Sequence, residues 1–240
     1  MNENHPTTFH ITHYKAGSQW VFAILSHLYH ERIVAPLEGA AHVTRHPVQP
    51  GKIYPCVYLT RDDFDRVDKP DNHSVFIVIR DLRDTLVSQY FSVKFSHTIM
   101  NPDMKSLRKR LLSENVIDGL LILLEERLYV SAEIQDSWVD MNLPQIHYED
   151  LIKDTYHFVE KMVALVAINV DERQIRAAIS RHSFAGQTGR QPGQEDLTSH
   201  HRKGITGDWR NYFDDRLKNE FKKRYGTLLI RTGYEADDGW

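Results

Sequence analysis

Three clusters pair cations with hydroxyls or glycines in ways that could hold an anion. Lys15, Gly17 and Ser18 lie in "YKAGSQW", between the extended-looking run "TFHIT" and the helically spaced "VFAILSHLY". Backbone N–H groups that open a helix lack intrahelical partners and sit at the positive end of its dipole, so they hold a phosphate or sulfate well. Gly17 lets the backbone approach closely, Ser18 adds a hydroxyl donor and Lys15 adds a full charge. The stretch is not GxxxxGK[ST], because its lysine precedes the glycine, and alone it fits an ordinary strand-to-helix turn with a solvated lysine.

The second cluster is "VIRDLRDTLVSQYFS", with Arg80 ending an apolar strand-like run and Ser88 eight residues later, about two turns into the next helix. A surface ion-pair group formed by Arg80, Asp81, Arg83 and Asp84 would stabilise little. An arginine leaving a central strand is better placed for bidentate contact with a phosphate. The third cluster is Arg202-Lys203-Gly204 in "SHHRKGITGDWRNYF". From Ser199 to Gly226 there are eight Lys/Arg and four Asp/Glu, a local excess of 8 − 4 = +4. A solvated basic helix accounts for part of that excess, but not for two cations beside a residue that permits close backbone approach.

These clusters need elements to hold them. Periodicity predicts a strand over 8–13 and a helix over 18–30, with Trp20, Val21, Ile24, Leu25 and Leu28 on one stripe. Residues 35–51, with three prolines and two glycines, read as a long loop. "KIYPCVYLT" reads as a strand interrupted by Pro55, and "SVFIVIR" as a strand buried on both faces. A helix capped by Asp84 follows, then a long helix over 115–138, a strand at "QIHYED", and helices over 151–167 and 171–182, the last opened by Asp171. Alternating strands and helices imply an α/β fold: a central parallel sheet flanked by helices on both faces, with ligands bound beyond the carboxyl ends of the strands.

Bulk properties narrow the partners. A chain of 240 residues, 41% hydrophobic and 26% charged, suits one globular domain over 1–240. No apolar run approaches the roughly 20 residues of a bilayer crossing, and no secretion signal opens the chain, so no membrane partner is expected. The formal net charge of −3 argues against nucleic acid, and any anion site must be local. The single Cys56 precludes an internal disulfide and suits a reducing cytoplasm.

Taken together, "YKAGSQW", the Arg80/Ser88 pair, "YED" at 148–150 and "RKGITGDW" resemble the cytosolic-type sulfotransferases, which move a sulfuryl group from 3'-phosphoadenosine 5'-phosphosulfate (PAPS) to a small-molecule acceptor. The family loop YPKSGTTW corresponds to "YKAGSQW", and RKGxxGDW is matched at every fixed position. The resemblance implies a P-loop-NTPase-like three-layer fold. It also implies that Lys15, Ala16, Gly17, Ser18 and Gln19 line the 5'-phosphosulfate loop, with Lys15 facing the leaving phosphate. Arg80 and Ser88 would hold the 3'-phosphate and Arg202, Lys203 and Gly204 would close over both phosphates, while Tyr148, Ser183, Phe184 and Trp20 would lie near the nucleotide. Trp20 is equally readable as a core aromatic at a helix start. His182 and Gln19 depart from the family's threonine and hydroxyl residues.

Sulfuryl transfer parallels phosphoryl transfer and needs no metal; positioning and charge stabilisation carry it. A base must take the acceptor's proton, and the family's KTH histidine has no match in "KIYPCVYLT", which offers Cys56. His97 is the first substitute, with His42 and His46 next and Glu38 as a carboxylate option. Two histidine pairs, His10/His13 and His200-His201, could suggest a metal site, but His10 and His13 face opposite sides of a strand and neither pair has a third ligand. Two other functions fit the residues less well: a PAPS-binding or bisphosphate-binding protein without catalysis, and a P-loop-like nucleotide kinase.

Overall fold

The computed structural model describes residues 5–139 and 141–240. Strands β1 (Thr7–Thr12), β2 (Ile53–Val57), β3 (His73–Ile79) and β4 (Gln145–His147) form one parallel sheet in the order β2-β1-β3-β4. The helices of the described residues are α1 (Ser18–Tyr29), α2 (Ala41–Thr44), α3 (Arg61–Asp65), α4 (Leu82–Phe91), α5 (Pro102–Ser113), α6 (Val116–Glu126), α7 (Leu128–Trp138), α8 (Tyr148–Lys153), α9 (Thr155–Val166), α10 (Glu172–His182), α11 (Phe184–Thr188) and α12 (Asp215–Arg231). Contacts divide the chain into two compact units. A sheet unit comprises Met1–Arg80 and Glu133–Gln187, and a helical unit comprises Asp81–Ala132 and Thr188–Trp240.

The sheet unit is built around the apolar run of β3, in which Val75–Ile79 are buried. On one face Val21, Ile24 and Leu25 of α1 cluster with Phe76 and Val78, with Phe158, Val159 and Met162 of α9, and with Ile175 and Ala178 of α10. On the other, Phe9 stacks on Tyr54 with ring centroids 5.2 Å apart and meets Phe64 of α3 edge-on at 5.1 Å. Phe64 in turn abuts Trp138 of α7. Burying each such side chain contributes about 1.5–3 kcal/mol. Cover on both faces is what a parallel sheet requires.

Pro55 distorts β2 without ending it. Phe9 pairs with Tyr54 but Ile11 with Val57, so two steps along β1 match three along β2. The extra residue forms a bulge in which Cys56 takes the left-handed φ of 57°. A proline has no N–H to give a ladder, and a bulge is one of the few places a sheet accepts it.

Several element boundaries differ from the sequence reading. Asp81, not Asp84, caps α4, its carboxylate accepting from Arg83 N–H. The helix expected over 115–138 is two, α6 and α7, with neither glycine nor proline marking the break at Arg127. "QIHYED" gives only three strand residues before α8 begins at Tyr148. Asp154 then ends α8 and caps α9, its carboxylate accepting from His157 N–H. The loop over 35–51 contains the short helix α2, and α5 was not foreseen.

Candidate active site

In the sheet unit the chain leaves β1 at Thr12 and reverses into α1 through two left-handed residues, Lys15 at φ 69° and Gly17 at φ 81°. Gly17 is the N-cap, and no side chain caps the first turn. The opening N–H groups of α1 therefore face the loop without a side-chain acceptor, as an anion site requires. Ala16 and Ser18 are buried, Lys15, Gly17 and Trp20 are half-buried, and Gln19 is exposed.

Arg80 leaves β3 beside this turn. Its Nη1 donates to the Lys15 carbonyl at 2.9 Å, and its backbone N–H donates to His13 Nε2 at 3.2 Å. With Nε2 accepting, the His13 proton sits on Nδ1 and is donated to the Tyr14 carbonyl at 3.0 Å. Burial lowers the His13 pKa from 6.5 to about 4, so the ring is neutral at physiological pH. The Arg80 guanidinium lies 4.5 Å from the Tyr148 ring centroid, a cation–π contact. Tyr148 in turn covers Gly17: a Cβ there would lie 2.6 Å from two ring carbons. The Lys15–Ser18 turn, the strand-end arginine and the "YED" tyrosine are thus one packed group. Gly17→Ala is expected to destabilise the protein by about 2–5 kcal/mol, adding left-handed strain to overpacking. Urea unfolding checks this, and an unchanged midpoint would mean that the Tyr148 ring moves aside freely.

Trp20 donates from Nε1 to the His182 carbonyl at 2.6 Å, tying α1 to the end of α10. Ser183 ends that helix, its hydroxyl donating to the Ser180 carbonyl and accepting from Gly186 N–H, both at 2.9 Å. Phe184 opens α11 and is half-buried.

The remaining cofactor candidates belong to the helical unit. Ser88 lies on α4, half-buried. Arg202 and Lys203 both contact the buried carboxylate of Asp208, Lys203 at 2.6 Å, and Arg202 also contacts Glu195 and lies 4.2 Å from the Phe91 centroid. Burial pushes the Asp208 carboxyl up, but hydrogen bonds from Lys203 and Arg202 outweigh it and leave the group below the usual carboxylate range. Gly204 takes a left-handed φ of 65°. The segment is anchored by Asp84, whose carboxylate accepts from Gly207 N–H at 2.6 Å and Trp209 N–H at 2.9 Å. Arg83 is no surface ion pair. It is 1% exposed, chelates Asp81, contacts Glu235 at 2.5 Å and lies between the Trp209 and Trp240 rings, at 3.9 and 4.3 Å. Removing one partner of a buried pair strands the other charge, so this cluster is structural.

The candidate bases fare differently. His42 is buried, with Nδ1 accepting from Leu37 N–H at 3.2 Å and Nε2 donating to the Pro55 carbonyl at 3.0 Å, so neither nitrogen is available for an acceptor's proton. His46 is exposed beside Arg45, Arg66 and Lys69 in a shallow groove. His97, in the helical unit, closes a π-helical turn over Ser92–Ser96, its N–H donating to the Ser92 carbonyl at 2.7 Å and its own carbonyl contacting Arg108. Glu38 is exposed and raises the Tyr14 phenol, secondary to burial. Cys56 is buried, with its thiol turned to the Ser18 carbonyl at 3.4 Å and its pKa pushed up by burial to about 12, so it is an inert thiol.

The sequence reading missed Tyr58, whose hydroxyl lies 2.7 Å from Ser18 Oγ. The signal was Pro55: a proline within a strand points to a bulge, and a bulge turns every later side chain to the opposite face. Among the described residues no group of three or more His, Cys, Asp or Glu side chains could hold a metal ion, and no helix is long and apolar enough to cross a membrane.

A four-stranded parallel sheet with helices on both faces, and a left-handed turn between its first strand and first helix, defines a P-loop-NTPase-like α/β fold. The family profile for the sulfotransferase domain matches residues 5–233, and the chain belongs to that family. A 3-beta-hydroxysteroid sulfotransferase and a 3-alpha-hydroxysteroid sulfotransferase of Cavia porcellus are each 28% identical over 165 residues, covering 63% of this chain. That match is 54% of either relative, so the chain spans about half their length. Human Sulfotransferase 1C2 is 22% identical over 245 residues, covering 89% of this chain and 80% of the relative. Among solved structures, mouse sulfotransferase SULT7A1 complexed with PAP superposes with a TM-score of 0.65 at 18% identity, covering 95% of this chain and 86% of that one. A retinol dehydratase in complex with androsterone and inactive cofactor PAP gives 0.58 at 16% identity, covering 93% and 80%.

Proposed function

We propose that the chain is a sulfotransferase of one functional domain that moves a sulfuryl group from PAPS to a hydroxyl, or less readily an amine, of a small-molecule acceptor. The packed group of the Lys15–Ser18 turn, Arg80 and Tyr148 carries this reading, together with the family and with neighbours whose structures hold PAP. The donor chemistry fits: Lys15, Ser18 and the opening N–H groups of α1 suit a 5'-phosphosulfate, and Arg80 suits a further phosphate. Ser88 is assigned with Arg80 to the 3'-phosphate by their spacing, and Arg202, Lys203 and Gly204 to both phosphates on the strength of "RKGITGDW".

PAPS supplies the sulfuryl group, bridged to a phosphate that leaves during an in-line displacement. Negative charge grows on the bridging oxygen, and Lys15 offsets it. Arg80, held to the Lys15 carbonyl, fixes the turn that carries that lysine. Calorimetric titration of the protein with PAP is the direct test. Binding at a one-to-one ratio, weakened by replacing Arg202 or Lys203, is expected, and absence of binding would overturn the proposal.

A further inference from the structure

We propose that Tyr58 takes the acceptor's proton and passes it through Ser18 to the leaving phosphate, in place of an imidazole base. The inference rests on the sulfotransferase reading above and on the order of the strands. The turn after β1 is flanked on one side by the ends of β3 and β4, which carry Arg80 and Tyr148, and on the other by the end of β2, which carries Tyr58. Arg80 and Tyr148 give the first side to the nucleotide. In-line displacement brings the nucleophile to sulfur from opposite the leaving oxygen, so the acceptor enters from the β2 side.

On that side two of the candidate groups are engaged, and Glu38 is exposed beside Tyr14. His42 has both nitrogens engaged, and the Cys56 thiol is turned into the Ser18 carbonyl. Tyr58 is half-buried, its hydroxyl lies 2.7 Å from that of Ser18, the first residue of α1, and its ring is held by stacking on Tyr14 at a centroid distance of 4.5 Å. The bulge produces this placement. With the extra residue in β2, Val57 pairs with Ile11 and Tyr58 takes the opposite face, shared with Ser18.

The relay balances. A bond forms between the acceptor oxygen and sulfur, and the bond from sulfur to the bridging oxygen breaks. The acceptor's proton passes to Tyr58 Oη as the phenolic proton passes to Ser18 Oγ, and the Ser18 proton passes to a leaving-phosphate oxygen. Tyr58 ends neutral, and the products are the sulfated acceptor and singly protonated PAP. Burial, the largest cause, raises the Tyr58 phenol, so a route that never leaves a phenolate in place suits the site.

The test compares the unaltered chain with Tyr58→Phe and Tyr58→His, using PAPS with a panel of phenols and aliphatic alcohols, and PAP alone for binding. Tyr58→Phe should lower turnover by about 10²–10⁴-fold, the range of general acid–base catalysis, with PAP affinity unchanged. Tyr58→His should recover turnover and gain an inflection near pH 6.5, the ordinary imidazole value, that the unaltered chain lacks. Undiminished turnover in Tyr58→Phe overturns the relay and leaves the sulfotransferase reading standing. An unaltered chain that binds no PAP, or binds it and transfers to no member of the panel, overturns both.

Discussion

Lys15→Met is expected to lower turnover by about 10²–10³-fold, the usual effect of removing one group aimed at developing charge. Lys15 lies in the turn that opens α1, its carbonyl held by the strand-end arginine, where the proposed donor would break. The change keeps side-chain bulk and removes only charge. PAP binding should weaken far less than turnover falls, because Arg80 and the helix N-terminus, as proposed, would still meet the phosphates. Steady-state kinetics beside PAP calorimetry separate the two effects. Near-normal turnover would remove Lys15 from this role, and an equal loss of both would make it a binding residue only.

A steep loss of stability on mild acidification is the second large effect. His10 and His13 lie in and just after β1, both fully buried, and burial lowers their pKa values from 6.5 to about 3 and about 4. His10 Nδ1 accepts from Cys56 N–H at 3.4 Å and His13 Nε2 accepts from Arg80 N–H, so protonating either ring destroys a backbone hydrogen bond. The unfolded chain binds these protons near pH 6.5 while the folded chain does not, so stability rises with pH across this window. It is fully present above 6.5 and is lost as pH falls toward 4 and then 3. The linkage amounts to about 3 kcal/mol for His13 and about 5 kcal/mol for His10. Urea midpoints measured from neutral pH downward should fall along a slope approaching two protons, and a flat profile would show that these rings are protonated in the folded state.

Much of the sheet unit was legible in the sequence because its signals are local. The apolar run of β3 and the strand-to-helix switch at "YKAGSQW" are periodicity read over a dozen residues, and each falls where expected. The capping carboxylate of Asp171 opens α10 as read, with Gln174 completing a capping box. What was not legible depended on distant partners. Asp84 looked like a cap, but its carboxylate is taken by backbone N–H groups more than a hundred residues away. His42 looked like a candidate base until Leu37 and Pro55 occupied its nitrogens. Tyr58 was passed over because its direction depends on one extra residue in β2, and a register shift shows itself only against a neighbouring strand. The residues proposed for the nucleotide rest on motif resemblance, whereas the proposed proton route rests on geometry.

The packing of Arg83 between Trp209 and Trp240 has an optical consequence. The chain has four tryptophans, with Trp20 and Trp138 in the sheet unit and Trp209 and Trp240 in the helical unit. A guanidinium held against two indole faces gives the second pair an electrostatic surrounding unlike that of Trp138, which packs on Phe64 and donates to the Leu59 carbonyl at 3.0 Å. Each unit therefore carries its own fluorophores, and single-tryptophan variants can report whether the two halves of this chain melt in one transition or in two.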